Sequence, residues 1–252
     1  MHRPVGCDVL SAISPFGGRG GRMTQLVLSL FPGIGLLDMA FEEAGFCIVR
    51  GPDLLWGGDI RRFHPPAERF DGVIGGPPCQ KFSTAGAIVG SEKDDLIPEF
   101  IRVFEAVHPA WAVMENVPQA IGHPAIPRDW FHFKLGDYDC HGHTSRVRAF
   151  WTWPFMALVS PRAAGDASHS VMASTHKRGG GQYAKDKGFL PGNLPIAEYA
   201  RLQGVPEIGR RLVEFNSSRA FAIHVLGNGV PLAMGRAVAR AVAQSIKKEV
   251  AA

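Results

Sequence analysis

Cysteine is scarce in this sequence of 252 residues: Cys7, Cys47, Cys79 and Cys140 are all there is, and no two form a CxxC pair. That count speaks against a disulfide scaffold and against a cysteine-rich zinc site, so no metal is expected. Long hydrophobic runs are missing too. No apolar stretch approaches the roughly 20 residues that a membrane-spanning helix needs. Internal repeats are absent, and residues 1–23 lack the long apolar core and small-residue cleavage site of a secretory signal. They contain Gly-Gly-Arg-Gly-Gly-Arg (17–22) and read as a flexible extension, with Met23 a candidate start. What is present is ordinary globular composition, 46% hydrophobic and 20% charged, which excludes a disordered tail, a collagen and a coiled coil. The length suits one large domain, or one domain with a small appendage.

The net charge of +4 is a mild hint of a polyanion partner, and its distribution says more. Residues 24–144 carry net −7, whereas residues 145–252 carry net +9, of which +5 falls in 145–190. This asymmetry fits an acidic domain joined to a basic surface for a phosphate backbone, or equally a solvated basic face.

The apolar run at 26–31 predicts a strand. Phe31-Pro32-Gly33-Ile34-Gly35 predicts a tight turn, and Leu36, Leu37, Ala40 and Phe41 have helical spacing up to Gly45. Residues 46–49 and 71–74 predict strands, 96–107 a helix, and 111–114 and 147–153 further strands. Pro, Gly, Ser, His and Lys dominate residues 154–192, a loop-rich basic insert. Helices are predicted over 196–203 and 231–248. Strand, glycine turn, helix, strand is the opening of a doubly wound α/β sheet.

Several residues carry chemistry. Gly33 and Gly35 at a strand-to-helix turn let backbone N–H groups approach a cofactor, although a glycine-rich turn alone would look the same. Asp53 is the nearest candidate for the carboxylate that holds a ribose, and Asp59 with Ile60 is placed to face an adenine ring. Pro77-Pro78-Cys79-Gln80 follows a strand, so Cys79 belongs on a loop at the carboxyl end of the sheet, where open α/β folds place their sites. The prolines stiffen the loop that presents the thiol. Glu115, with Asn116, directly follows a buried strand; partial desolvation would raise its pKa and suit it to proton donation. Arg146 and Arg148 alternate at the start of a strand and so share one face.

Taken in order over residues 26–242, these features resemble the cytosine-5 DNA methyltransferases, of a compact bacterial or phage type. The motifs are Phe31-Pro32-Gly33-Ile34-Gly35; Gly76-Pro77-Pro78-Cys79-Gln80 with Phe82-Ser83; Glu115-Asn116-Val117; Arg146-Val147-Arg148; Arg201-Leu202-Gln203-Gly204; and Gly227-Asn228-Gly229-Val230-Pro231. The resemblance implies a Rossmann-like S-adenosylmethionine-dependent sheet (24–153 and 224–252) with a small, loop-rich target-recognition domain (154–223). It implies transfer of a methyl group from S-adenosylmethionine to carbon 5 of a cytosine flipped out of duplex DNA. Cys79 matches the nucleophile, Glu115 the donor to ring nitrogen 3, and Arg146 the arginine on the base carbonyl, with Arg148 as helper. Phe31, Gly33, Ile34, Gly35, Asp53, Asp59, Ile60, Pro77, Asn228 and Val230 match the cofactor site; Gln80, Ser83, Asn116, Arg201 and Gln203 match the substrate side. A cytoplasmic monomer acting on double-stranded DNA is expected.

The sequence also departs from the family pattern. Thr144 stands where glutamine is usual, Leu36 replaces a frequent glycine, and Gly229 replaces serine. The recognition insert is short, which predicts a short or loosely read target. Relatives acting on transfer RNA carry a Cys-Phe-Thr motif that is not found here. A non-catalytic DNA-binding relative would not need Cys79, Glu115 and Arg146 together, and a nicotinamide dehydrogenase would need a fuller glycine fingerprint.

Overall fold

The computed structural model describes residues 24–78, 95–154, 156, 167–172 and 190–250. The extension at 1–23, much of the basic insert, and Cys79, Gln80 and Ser83 lie outside the described residues. Six strands form one sheet: β1 (Leu26–Leu30), β2 (Cys47–Arg50), β3 (Gly72–Gly75), β4 (Trp111–Asn116), β5 (Phe131–Gly136) and β6 (Val147–Trp153). Their spatial order is β2-β1-β3-β4-β6-β5. The first four run parallel, β6 is antiparallel to β4, and β5 is antiparallel to β6. The helices are α1 (Leu36–Glu43), α2 (Ile97–Val107), α3 (Ile196–Leu202), α4 (Pro206–Glu214), α5 (Arg219–Asn228) and α6 (Leu232–Val250). No described helix is long and apolar enough to cross a membrane.

Alternation along the strands divides the core in two. Val27, Ile74, Trp111, Val113 and Phe150 face the cluster that contains Leu37 and Phe41 of α1 and Val238 and Val242 of α6. Leu28, Leu30, Val73, Ala112, Met114 and Trp151 face the cluster built on Ile97, Phe100 and Val103 of α2. Helices therefore cover both faces, as in a doubly wound sheet. Tyr199, Leu202, Val205, Ile223 and Leu226, from α3 to α5, join the first cluster.

The elements differ from the expectations in three places. β4 runs on through Glu115 and Asn116, so these residues end the strand and do not follow it. β5 was not foreseen because only the last part of this edge strand is buried, leaving little alternation to read. α4 and α5 were not foreseen either. α4 has only Gly209 buried, and a Cβ there would meet the Ala200 side chain at 2.5 Å, so close helix packing supplies what hydrophobic content does not.

One contact fixes the approach of α1 to the sheet. The Trp111 ring stacks on Phe41 and meets Phe46 edge-on, at centroid distances of 6.0 and 5.5 Å. It also lies over Gly72, where a Cβ would stand 2.2 Å from the indole. Gly72→Ala is therefore expected to lower the unfolding free energy by about 1–3 kcal/mol through overpacking. An unchanged urea midpoint would show that the indole moves aside without cost.

Candidate active site

The parallel strands end on one edge, and the predicted site residues of the described chain, Arg201 apart, gather along it. At the end of β1 the chain turns sharply. Phe31, Gly33 and Gly35 have φ of 55°, 54° and 79°, and the Gly35 amide donates to the Pro32 carbonyl at 2.7 Å. Glycine suits the second and third of these left-handed positions. Asp53, three residues past β2, holds this turn: one carboxylate oxygen accepts from the Gly33 amide (2.8 Å) and the other from Leu55 N (2.7 Å). The Trp56 indole N–H donates back to the Gly33 carbonyl at 2.7 Å. Asp59 caps the next short turn through Arg61 N, and Ile60 is buried behind it. Arg102 of α2 donates to the carbonyls of Ile60 and Phe63.

Below the turn, the buried carboxylate of Asp38 accepts from Ser29 Oγ (2.5 Å) and pairs with Arg50 Nε (2.8 Å). Burial pushes the Asp38 carboxyl up, opposed by those two partners. Sequence reasoning missed this residue. A charge on the buried side of an amphipathic helix was the available signal.

The Gly227-Asn228-Gly229-Val230-Pro231 loop sits against the same turn. Gln203, fully buried, donates to the Leu226 and Gly229 carbonyls and accepts from Leu232 N (3.0 Å). Val230 is buried, and the exposed Asn228 bonds His224. Arg201 is elsewhere, exposed on α3 and paired with Glu198. Two departures from the family pattern meet here. A Cβ on Gly229 would lie 2.4 Å from Leu36 Cδ1, so a leucine at 36 requires a glycine at 229.

The second half of the site is ionic. Glu115 is 8% exposed, and its Oε1 lies 2.9 Å from Arg148 Nε. Burial pushes the Glu115 carboxyl up, and Arg148 and then Arg146 oppose that rise. Arg146 is 4% exposed; its Nη1 donates to the Val171 carbonyl at 2.5 Å, and its Nε has no partner among the described residues. Burial, then Arg148, lowers the Arg146 guanidinium to about 9, which leaves it protonated at neutral pH. A Cβ on Gly76 would stand 2.8 Å from Glu115 Oε2, so the segment leading to Cys79 passes directly beside this carboxylate. Pro77 is buried, and its carbonyl accepts from Asn116 Nδ2 at 3.0 Å.

Two further groups were not foreseen. Asp95 pairs with His123 Nε2 at 2.8 Å, where the chain enters α2. The imidazole Nδ1 accepts from Ala125 N, which makes Nε2 the donor to Asp95. Asp137 gathers the loop before Arg146: its Oδ2 accepts from the Thr144 amide and hydroxyl and the His143 amide. Its signal was period-two spacing after Phe133 and Leu135, readable only once β5 is known.

The family model of C-5 cytosine-specific DNA methylases matches residues 57–133, which span Asp59, Pro77 and Glu115. The Type II methyltransferase M.NgoPII of Neisseria gonorrhoeae is 36% identical over 111 residues, covering 36% of this chain and 33% of that protein. M.FnuDI of Fusobacterium nucleatum is covered to a similar 32%, so the chain matches about a third of the length of these two relatives. M.HgiGI of Herpetosiphon aurantiacus is 34% identical over 115 residues, covering 37% of this chain and 90% of that protein. The chain belongs to the C-5 cytosine-specific DNA methylase family. Among solved structures, the Entamoeba histolytica methyltransferase EhMeth superposes with a TM-score of 0.59 at 12% identity, covering 89% of this chain and 99% of that one. The S. pombe Dnmt2 methyltransferase gives 0.58 at 14%, covering 90% and 99%. At such identities these two likenesses show the fold.

Within this methylase fold the contact of Leu36 with Gly229 is testable as a coupling. Gly229→Ser alone is expected to cost about 1–3 kcal/mol. In a Leu36→Ala background the same change should cost less, with a coupling of about 0.5–3 kcal/mol measured by denaturant unfolding. Strict additivity would show that the loop, not the leucine, sets the choice of glycine.

Proposed function

We propose that the protein methylates carbon 5 of a flipped-out cytosine in duplex DNA, through a covalent adduct of Cys79. The observation that carries this reading is the buried carboxyl of Glu115, set between Arg148 and the segment that leads to Cys79. S-adenosylmethionine, when bound, supplies an electrophilic methyl group. The residues present suit it. The first turn of α1 has no side-chain cap, which favours a carboxylate there. A Cβ on Gly33 would meet nothing within 4 Å, which leaves room beside the turn. Asp53 uses two of roughly four acceptor sites on Gly33 and Leu55, leaving capacity for ribose hydroxyls. Ile60 and Asp59 would border the adenine, and Phe31, Ile34, Gly35, Pro77, Asn228 and Val230 the remainder.

Carbon 5 of cytosine is a poor nucleophile. The Cys79 thiolate adds to carbon 6 and pushes electron density to carbon 5. Negative charge spreads onto the ring, and Glu115, with its carboxyl pushed up by burial, donates to ring nitrogen 3. Arg146 holds the base carbonyl, and Arg148 orients Glu115. Asn116 holds Pro77 and so the start of the segment that continues to Cys79, Gln80 and Ser83. After methylation a base takes the carbon 5 proton and the thiolate leaves, restoring the aromatic ring.

The target base must leave the stack to reach such a site. Residues 154–223, which include Arg201 and Gln203, are the proposed recognition region between two parts of one catalytic domain. Beyond Arg146 and Arg148, residues 145–190 carry a net +3, which supplies phosphate contacts. A monomer in the cytoplasm is part of this reading, and protection of DNA as in restriction-modification fits the Type II relatives.

Bisulfite sequencing of DNA from cells expressing the protein should reveal new 5-methylcytosine, and Cys79→Ala should abolish it. Glu115→Gln should lower kcat by about 10²-fold or more. Methylation of transfer RNA in place of duplex DNA would redirect the proposal to RNA. The methylated sites should define a short or degenerate sequence; a long, strict one would show that the small insert reads more than its size suggests.

A further inference from the structure

Asp137 lies directly across the β5–β6 hairpin from Arg146. The ladder pairs Leu135 with Arg148 and Gly136 with Val147, and it continues with the Asp137 amide donating to the Arg146 carbonyl at 2.8 Å. Asp137 stands one residue past β5 with a helical backbone (φ −59°, ψ −44°), so it ends the ladder and begins the turn at Tyr138. Glu115 pairs with Phe150 in the ladder, so Glu115, Arg148 and Arg146 occupy one face of the sheet, and Asp137 closes their row. They continue the apolar row of Phe133 and Phe150 as a buried ionic row with two charges of each sign.

We infer that Asp137 is the positioning residue for Arg146, fixing the reach of its guanidinium through Thr144 and balancing its charge. The inference rests on the reading of Arg146 as the base-holding arginine. Arg146 is buried, is repelled by Arg148, and needs a counter-charge besides Glu115, which Arg148 already engages. Asp137 is the other anion acting on it. Three donors converge on Asp137 Oδ2: Thr144 N at 2.9 Å, Thr144 Oγ1 at 2.7 Å and His143 N at 3.2 Å. They fix the carboxylate plane, and Thr144 Oγ1 then accepts from the Arg146 amide at 3.4 Å. The other oxygen, Oδ1, is buried with no hydrogen-bond partner among the described residues. Gly142 leaves room for it, since a Cβ there would lie 1.9 Å away. A carboxylate held by one oxygen, with the other buried and unbonded, is a poor choice for stability alone. Burial pushes the Asp137 carboxyl up, and the Thr144 and His143 bonds oppose that rise, as suits a carboxylate placed for a neighbouring guanidinium that must keep donors free for a ligand. Thr144, where the family usually has glutamine, becomes the link between the two.

The test uses the full chain with labelled S-adenosylmethionine and duplex DNA. Asp137→Asn is expected to lower kcat about tenfold or more while KM for DNA changes less than about twofold. Thr144→Val should lower kcat by a smaller factor, and Thr144→Ser, which restores the hydroxyl, should recover it. In nitrogen-edited arginine side-chain spectra of the free protein, the Arg146 Nε–H should be protected from exchange in the wild type and lose that protection in Asp137→Asn. An unchanged kcat in Asp137→Asn, or a Thr144→Ser variant no better than Thr144→Val, would overturn the inference. If the wild type methylates no nucleic acid, the proposed function fails, and the arginine spectra alone decide: an unchanged Arg146 signal then rejects the role of Asp137.

Discussion

The ion pair between Glu115 Oε1 and Arg148 Nε, 2.9 Å apart and mostly removed from water, places demands on everything around it. A carboxylate at the end of a buried parallel strand is costly unless a cation reaches it inside the protein. Here the cation comes from β6, which runs antiparallel to β4 in the register that pairs Glu115 with Phe150. A strand added in parallel would have brought its own carboxyl end to this edge, not the arginine-bearing start of β6. The antiparallel turn of the sheet thus delivers positive charge to the end where the site must lie. β5 then covers the outer side of β6 and brings Asp137 opposite Arg146. On the other side, the residue just after β3 is Gly76, where a Cβ would press on Glu115 Oε2.

At the far side of the same edge the constraint is steric. The turn after β1 has no side-chain cap on α1, so its shape depends on neighbours. Asp53 and Trp56 grip Gly33 from one side, while the loop after α5 packs on Leu36 from the other. Gln203 fastens that loop by bonding two of its carbonyls. The two halves of the edge are built differently for a physical reason. In the proposed function, one exposes backbone groups and free space to a small molecule, and the other keeps charges dry.

The central strands could be read directly, because β1, β3 and β4 are buried on both faces and appear as continuous apolar runs. β5 could not, since an edge strand with exposed Phe131, His132 and Lys134 offers neither a run nor a clean alternation. α4 escaped notice because it packs through Gly209 on Ala200 with little buried apolar surface of its own, and α5 because Ala222, Ile223, Val225 and Leu226 are buried around it and leave no single apolar stripe. The site divides on the same line. Glu115, Arg146 and the glycine turn announce themselves through short motifs. Asp137 and Asp38 act through partners across a hairpin or on another element, so their roles appear only when the chain is folded.

The same logic explains how a short chain serves this fold. A crossover between parallel strands usually requires a helix. Between β2 and β3 the chain instead makes two single-turn 3-10 helices, Leu54–Trp56 and Ile60–Arg62. Each is too short to persist alone. Asp53 and Asp59 cap them, and Arg102 from α2 donates to the carbonyls of Ile60 and Phe63 at the second. Asp53 also reaches Gly33, so one carboxylate caps a turn and shapes the glycine loop. Dispensing with the helix therefore requires that residues facing the crevice also hold the backbone. Changes to Asp53 would then disturb the fold and the crevice together, which separates it from the roles proposed for Cys79 and Glu115, whose demands are chemical.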